Sequence, residues 1–180
     1  MVRMLQDNKI KKSDAFVGYV LETIQNQKNK SFGAKLKKAD NENTEYQSWE
    51  ILSRWVDLEN DRERKSYALI AASLAKHKSG KDGPLGLGRA LAIAFDVRNG
   101  PSDDERGPGH SRLRRLLTCK DSQELILVLR SNLRLLQSRE TPFSHARLLD
   151  EILSFDIDWK RDKIRASWAQ EFYGSKGAEK

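Results

Sequence analysis

Apolar residues in this chain recur every three or four positions over almost its whole length, and no stretch longer than a few residues alternates apolar with polar. That pattern excludes most architectures. A period near 3.6 buries one side of a helix, whereas a half-buried strand needs a period of two. Phe16, Val17, Val20, Leu21 and Ile24 form one such face, with Ser13 placed to cap it. Tyr46, Trp49, Leu52 and Trp55 form another, after an acidic, Asn-rich connector at Asp40–Asn43. A third helix is predicted from about Asp61 to Lys78, burying Tyr67, Ile70, Ala71 and Leu74, and Ser79-Gly80-Lys81-Asp82-Gly83-Pro84 breaks it. Over Leu85–Phe95 the residues Leu87, Ala90, Leu91, Ala94 and Phe95 share a face, and Arg89 points the other way.

Further on, Asp121 with Glu124 reads as a capping box that opens a strongly apolar helix to about Ser138. Thr141-Pro142 ends that segment, and Ser144 starts a helix carrying Leu148, Leu149, Ile152 and Leu153. A last helix from about Asp158 places Ile164, Trp168 and Phe172 at i, i+4 and i+8. The expected fold is all-α, a compact bundle of about seven to eight helices forming a single domain over residues 1–180. Residues 1–12 and 174–180 are expected to fray, and the Pro/Gly-rich stretch 99–109 to be the longest and most mobile loop.

Composition narrows the function. A third of the 180 residues are charged (33%), and 33 cations against 26 anions give a net charge of +7. The excess is uneven. Five lysines and no acid lie between Lys28 and Lys38, whereas eight acids face only Arg54 and Arg62 between Asp40 and Glu63. One end therefore carries a positive potential suited to polyanions. The lone cysteine, Cys119, excludes an internal disulfide framework and fits a reducing compartment. Met1–Lys12 carries no apolar signal region, and no apolar run approaches the ~18 residues of a membrane span, so the expected location is cytoplasmic.

Catalytic signatures are nearly absent. His77, His110 and His145 are scattered without a second ligand at metal spacing. Cys119 has basic neighbours but no histidine near it in sequence, and reads as a structural thiol. Gly80–Gly88 lacks the phosphate-loop pattern, Gly86 and Gly88 suit close helix packing, and Asp103-Asp104 and Asp156 with Asp158 suit caps. No catalytic residue, metal ligand or cofactor is assigned. All four tryptophans fall where helical faces need core residues, so no exposed aromatic platform is expected.

One basic pattern occurs twice, as Lys35-Leu36-Lys37-Lys38-Ala39 and as Arg112-Leu113-Arg114-Arg115-Leu116. On a helix, Leu113, Leu116 and Leu117 share an arc of about 100° and the arginines take the rest. The leucines anchor the turn and the cations suit a phosphate backbone, although solvated faces of ordinary amphipathic helices account for the same charges. The candidate nucleic-acid-binding residues are Lys35, Lys37 and Lys38, then Arg112, Arg114 and Arg115. Arg89 is a third element, and Lys160 and Lys163 extend the patch.

Leu87-Gly88-Arg89-Ala90-Leu91-Ala92, followed by Arg112-Leu113-Arg114-Arg115-Leu116-Leu117, resembles the CasB family, the small subunit of the type I-E CRISPR Cascade complex. The resemblance extends back to Ala34-Lys35-Leu36-Lys37-Lys38-Ala39 and forward to Phe155-Asp156-Ile157-Asp158-Trp159 and Trp168-Ala169-Gln170-Glu171-Phe172-Tyr173, covering about residues 31–175. It implies a non-catalytic, all-helical subunit present in two copies in an RNA-guided surveillance complex. Its implied partners are guide CRISPR RNA, target DNA, other Cascade subunits and a second copy of itself. The implied role is antiviral defence, by stabilising the opened strands of the R-loop. Two features depart from the family pattern: Lys37-Lys38 stands where arginine is often expected, and the 100–109 segment is longer. A free-standing non-specific nucleic-acid-binding protein and an all-helical protein-protein adaptor remain the alternatives on the residues alone.

Overall fold

The computed structural model describes residues 10–26, 30–77, 79–97 and 107–174. These form nine α-helices and one 3₁₀ turn: α1 (Lys12–Gln25), α2 (Lys30–Leu36), the 3₁₀ turn (Glu45–Ser48), α3 (Trp49–Leu52), α4 (Asp61–Lys76), α5 (Leu87–Ala94), α6 (Pro108–Thr118), α7 (Ser122–Ser138), α8 (His145–Ser154) and α9 (Asp158–Tyr173). No strand occurs among the described residues. The count exceeds seven to eight because the segment leading into the first basic turn forms a helix of its own, the seven-residue α2.

Local chemistry sets most of the boundaries. The Asn60 side chain accepts from Glu63 N at 3.2 Å and starts α4. Half of the capping box at α7 forms: Asp121 accepts from Glu124 N at 2.8 Å, while the Glu124 carboxylate reaches one residue further back than the pattern predicts and accepts from Lys120 N at 2.8 Å. Ser144 accepts from Arg147 N at 3.1 Å and opens α8. Ser13 does not cap α1. The helix begins one residue earlier, Lys11 occupies the cap position without a side-chain bond, and the Ser13 hydroxyl is buried with no partner among the described residues. α4 ends at Lys76, two residues before the expected limit, and α5 begins at Leu87, two residues after it. Of the expected mobile loop, residues 99–106 lie outside the described residues, and Pro108 and Gly109 already belong to α6. Residues 1–9 and 175–180 of the expected frayed ends also lie outside them, and Lys12 is helical.

One apolar cluster runs from Phe16 to Phe172. α4 is buried along Ser66–Ala75 and packs against α1, α7 and α8, while α9 lies across α5. Gly88 makes that last crossing possible, since a methyl group there would sit 2.1 Å from the Trp168 carbonyl oxygen.

Candidate nucleic-acid interface

Leu36 and Ala39 are buried, so the first basic turn is anchored as its pattern predicts. Its three lysines have different surroundings. Lys35 sits 2.6 Å from a Glu50 oxygen, and that hydrogen bond with the lysine charge holds the Glu50 carboxyl below its usual range. Lys38 donates to Gln47 Oε1 at 3.1 Å, and Lys37 is exposed with no ion pair among the described residues.

Lys37 and Lys38 open onto a groove of about 520 Å³ that sequence reasoning missed as a unit, because its other cations come from distant helices. Lys76, at the end of α4, lines it and lies 3.5 Å from Asp40. Arg130 and Arg134 of α7 complete it. Those two stand four apart on the face away from Leu125, Leu129, Leu133 and Leu136, so the spacing did carry a signal. The buried Nε of Arg130 has no hydrogen-bond partner among the described residues. Five cations thus converge where, among the described residues, Asp40 and Glu42 are the only acids lining the groove.

The second basic pattern lies on α6, where Leu113 and Leu116 are fully buried. Its arginines do not share one face. Arg112 turns inward, with its guanidinium 5.9 Å from the Phe95 ring and its Nη1 donating to Asn132 Oδ1 at 3.3 Å. Arg114 and Arg115 are exposed, and Arg114 points about 160° around the helix from Arg112. α7 therefore stands between the two patterns: Arg112 reaches Ser131 and Asn132 on one flank, while Arg130 and Arg134 border the groove on the other. Arg89 is half-buried on α5, with no ion pair or hydrogen bond to its side chain among the described residues.

Lys160 and Lys163 are not brought to the groove. They begin α9, just after Asp156, which accepts from Ser122 N and Oγ at 2.7 Å at the start of α7. Ser122 and Arg134 are about 18 Å apart along that helix. Lys160 and Lys163 both lie near the ring of Trp159, which is 59% exposed and corrects the expectation that every tryptophan is in the core. Trp49 is 37% exposed as well, and only Trp168 is fully buried. Trp159 lies about 180° around α9 from Trp168, so one helical face cannot bury both.

Cys119 is buried, and that burial pushes its thiol up to about 11 despite Arg165 and Arg115 nearby. It is an inert thiol.

A polar chain inside the core joins residues that the sequence scatters. Asp82 accepts from His145 Nδ1 at 2.8 Å, and His145 Nε2 lies 3.0 Å from the Ser73 hydroxyl. The order is that of a hydrolase triad, but the surroundings are structural. Ser73 is 4% exposed in mid-helix, and its hydroxyl also accepts from Gln137 Nε2 at 3.0 Å. The adjacent cavity of about 500 Å³ is lined by His77, Asp82 and Gln137 but by neither Ser73 nor His145. Asp82 also accepts from the backbone N–H groups of His145 and Ala146, at 2.8 and 3.1 Å, so the chain ties the α4–α5 connection to α8. Among the described residues no group of three or more His, Cys, Asp or Glu side chains is arranged to hold a metal ion, and no helix is long and apolar enough to cross a membrane.

Comparison with known proteins gives a consistent picture. The family described as CRISPR-associated protein Cse2 matches residues 33–173. Among solved structures, CasB from M. ruber is similar at a TM-score of 0.69 and 22% identity, covering 93% of this chain and 95% of that one. CasB from Thermobifida fusca is similar at 0.66 and 18% identity, covering 91% of this chain and 98% of that one. A Cse2-family protein from Thermus thermophilus is similar at 0.64 and 22% identity, with the same coverage as the T. fusca protein. No curated protein matches in a sequence search.

Proposed function

The chain belongs to the CRISPR-associated Cse2 family, and on that ground we propose that it is a non-catalytic small subunit of the RNA-guided Cascade surveillance complex. In this role it holds guide RNA and target DNA by their backbones and stabilises the separated strands of the R-loop during antiviral defence. Its partners are the other Cascade subunits and a second copy of itself, in the cytoplasm. The observation that carries the reading is the groove, in which Lys37, Lys38, Lys76, Arg130 and Arg134 converge from three separate segments. Charges assembled from distant helices neutralise phosphates without reading base edges. In an RNA-guided complex that division of labour suffices, because base pairing supplies the sequence specificity. Arg114 and Arg115 on α6, with Arg89, Lys160 and Lys163, extend the contact beyond the groove, while Lys35 contributes less because Glu50 holds it.

The test is reconstitution with guide RNA and the partner subunits, with and without this chain. Permanganate footprinting of unpaired thymines should show a less populated and shorter-lived open target without it, while the guide stays bound. Equal opening in both complexes refutes the assignment.

A further inference from the structure

We propose that Trp159 is a stacking platform for one unpaired nucleobase, with Lys160 and Lys163 holding the phosphates on either side of it. The inference rests on the nucleic-acid reading above and adds a contact of different chemistry. Exposed Trp159 has no packing role to explain it, because Ile164, Trp168 and Phe172 already supply the inward face of α9. Tryptophan is enriched on surfaces that bind, because its large ring supplies contact area and its N–H a polar handle.

The charges around the ring select the partner. Lys163 Nζ lies 5.1 Å and Lys160 Nζ 5.5 Å from the Trp159 ring centroid. The neighbouring acids are each drawn to an arginine: Asp158 lies 2.7 Å from Arg161, Asp162 3.6 Å from Arg165, and Asp156 3.7 Å from Arg62. Neither lysine has an acidic partner among the described residues. The uncompensated charge beside the ring is therefore positive. The core of a protein-protein interface is depleted in lysine, whereas an aromatic ring flanked by lysines is the arrangement that single-strand binders use. A base must also be unpaired and unstacked to lie on the ring, so the ligand is a single strand rather than duplex.

The experiment compares binding of a labelled oligothymidine with an abasic strand of equal length and charge, using the whole chain at low salt. Trp159→Ala should bind oligothymidine about 5- to 150-fold more weakly, leave the abasic strand unaffected and keep the salt slope of the unaltered chain. Trp159→Phe, with a smaller ring, should keep part of the preference. Lys160→Ala with Lys163→Ala should do the reverse, weakening both strands alike and flattening the slope by up to about 1.4. A Trp159→Ala chain that still prefers oligothymidine as before overturns the proposal while leaving the groove reading intact. If that chain binds both strands normally but no longer joins the reconstituted complex, Trp159 is a protein contact and the proposal fails. No binding of either strand by the unaltered chain overturns both readings.

Discussion

Replacing Lys37 and Lys38 by alanine should change how nucleic-acid binding depends on salt more than it changes the protein. The groove presents five cations, and if each neutralises one phosphate of a single strand, the slope of log affinity against log salt is about −3.5. Without Lys37 and Lys38 it falls to about −2. Between 50 and 200 mM salt the unaltered chain would then lose affinity roughly a hundredfold and the variant roughly twentyfold. Both side chains are exposed, and their only described side-chain bond is the contact of Lys38 with Gln47, so stability should move by no more than about 0.5 kcal/mol each. Fluorescence anisotropy titrations at several salt concentrations measure the slope, and circular dichroism melting checks the fold. Arg130→Ala with Arg134→Ala should lower the slope equally, because the structure places all four side chains on one groove. A slope unmoved by the lysine pair, or moved by that pair and not by the arginines, would refute the groove as a binding unit.

Other outcomes follow from the core. Asp82→Ala removes four hydrogen bonds, those from the His145 ring, from the backbone N–H groups of His145 and Ala146 and from the Ser144 hydroxyl, and should lower the melting temperature by roughly 6 to 12 °C, for a cost of about 3 kcal/mol. Burial opposes the Asp82 charge, but the bonds and charge from His145 outweigh it and hold the carboxyl below its ordinary value of 3.8. Its contribution is therefore complete above that pH and is lost as the pH falls through the lowered value, a loss that melting curves of Asp82→Asn should not show. Gly88→Ala should destabilise by about 1 to 3 kcal/mol, since its methyl would strike the Trp168 backbone, whereas Gly18→Ala, in open space on α1, should stabilise by about 0.5 to 1 kcal/mol in chemical denaturation. In the same assay Leu113→Ala should cost about 2 to 5 kcal/mol, while Arg114→Ala with Arg115→Ala should leave the fold intact and weaken binding.

What the sequence reveals, and what it conceals, follows the distance over which each contact acts. Asp121 and Ser144 are legible as caps because their partners lie three residues away. Leu36, Leu113 and Leu116 are legible as anchors because helical period alone turns them inward. Ser13 misleads because the helix begins one residue before it and turns the hydroxyl into the core. The link between His145 and Asp82 spans 63 positions, and no local pattern announces it. Helical period alone assigns Arg112 outward with its neighbours, yet Phe95 and Asn132 draw it in, and neither belongs to its helix. Trp159 and the pair Arg130 and Arg134 differ from these, since counting 100° per residue places all three off the buried faces.

The inward turn of Arg112 bears on function as well as on legibility. Because it bonds α6 to Ser131 and Asn132, the exposed Arg114 and Arg115 are carried on a helix fixed to the same α7 that presents Arg130 and Arg134. Arg112 thus sets the spacing between the two basic surfaces, whatever contact of its own it makes. Fixed spacing suits the proposed task better than strong affinity at any one point. A strand held at separated phosphates on a rigid frame gives up its freedom once, and each further contact then costs less ordering. Point-charge lysines in the groove fit that scheme, since they follow a backbone without imposing the geometry of a bidentate fork.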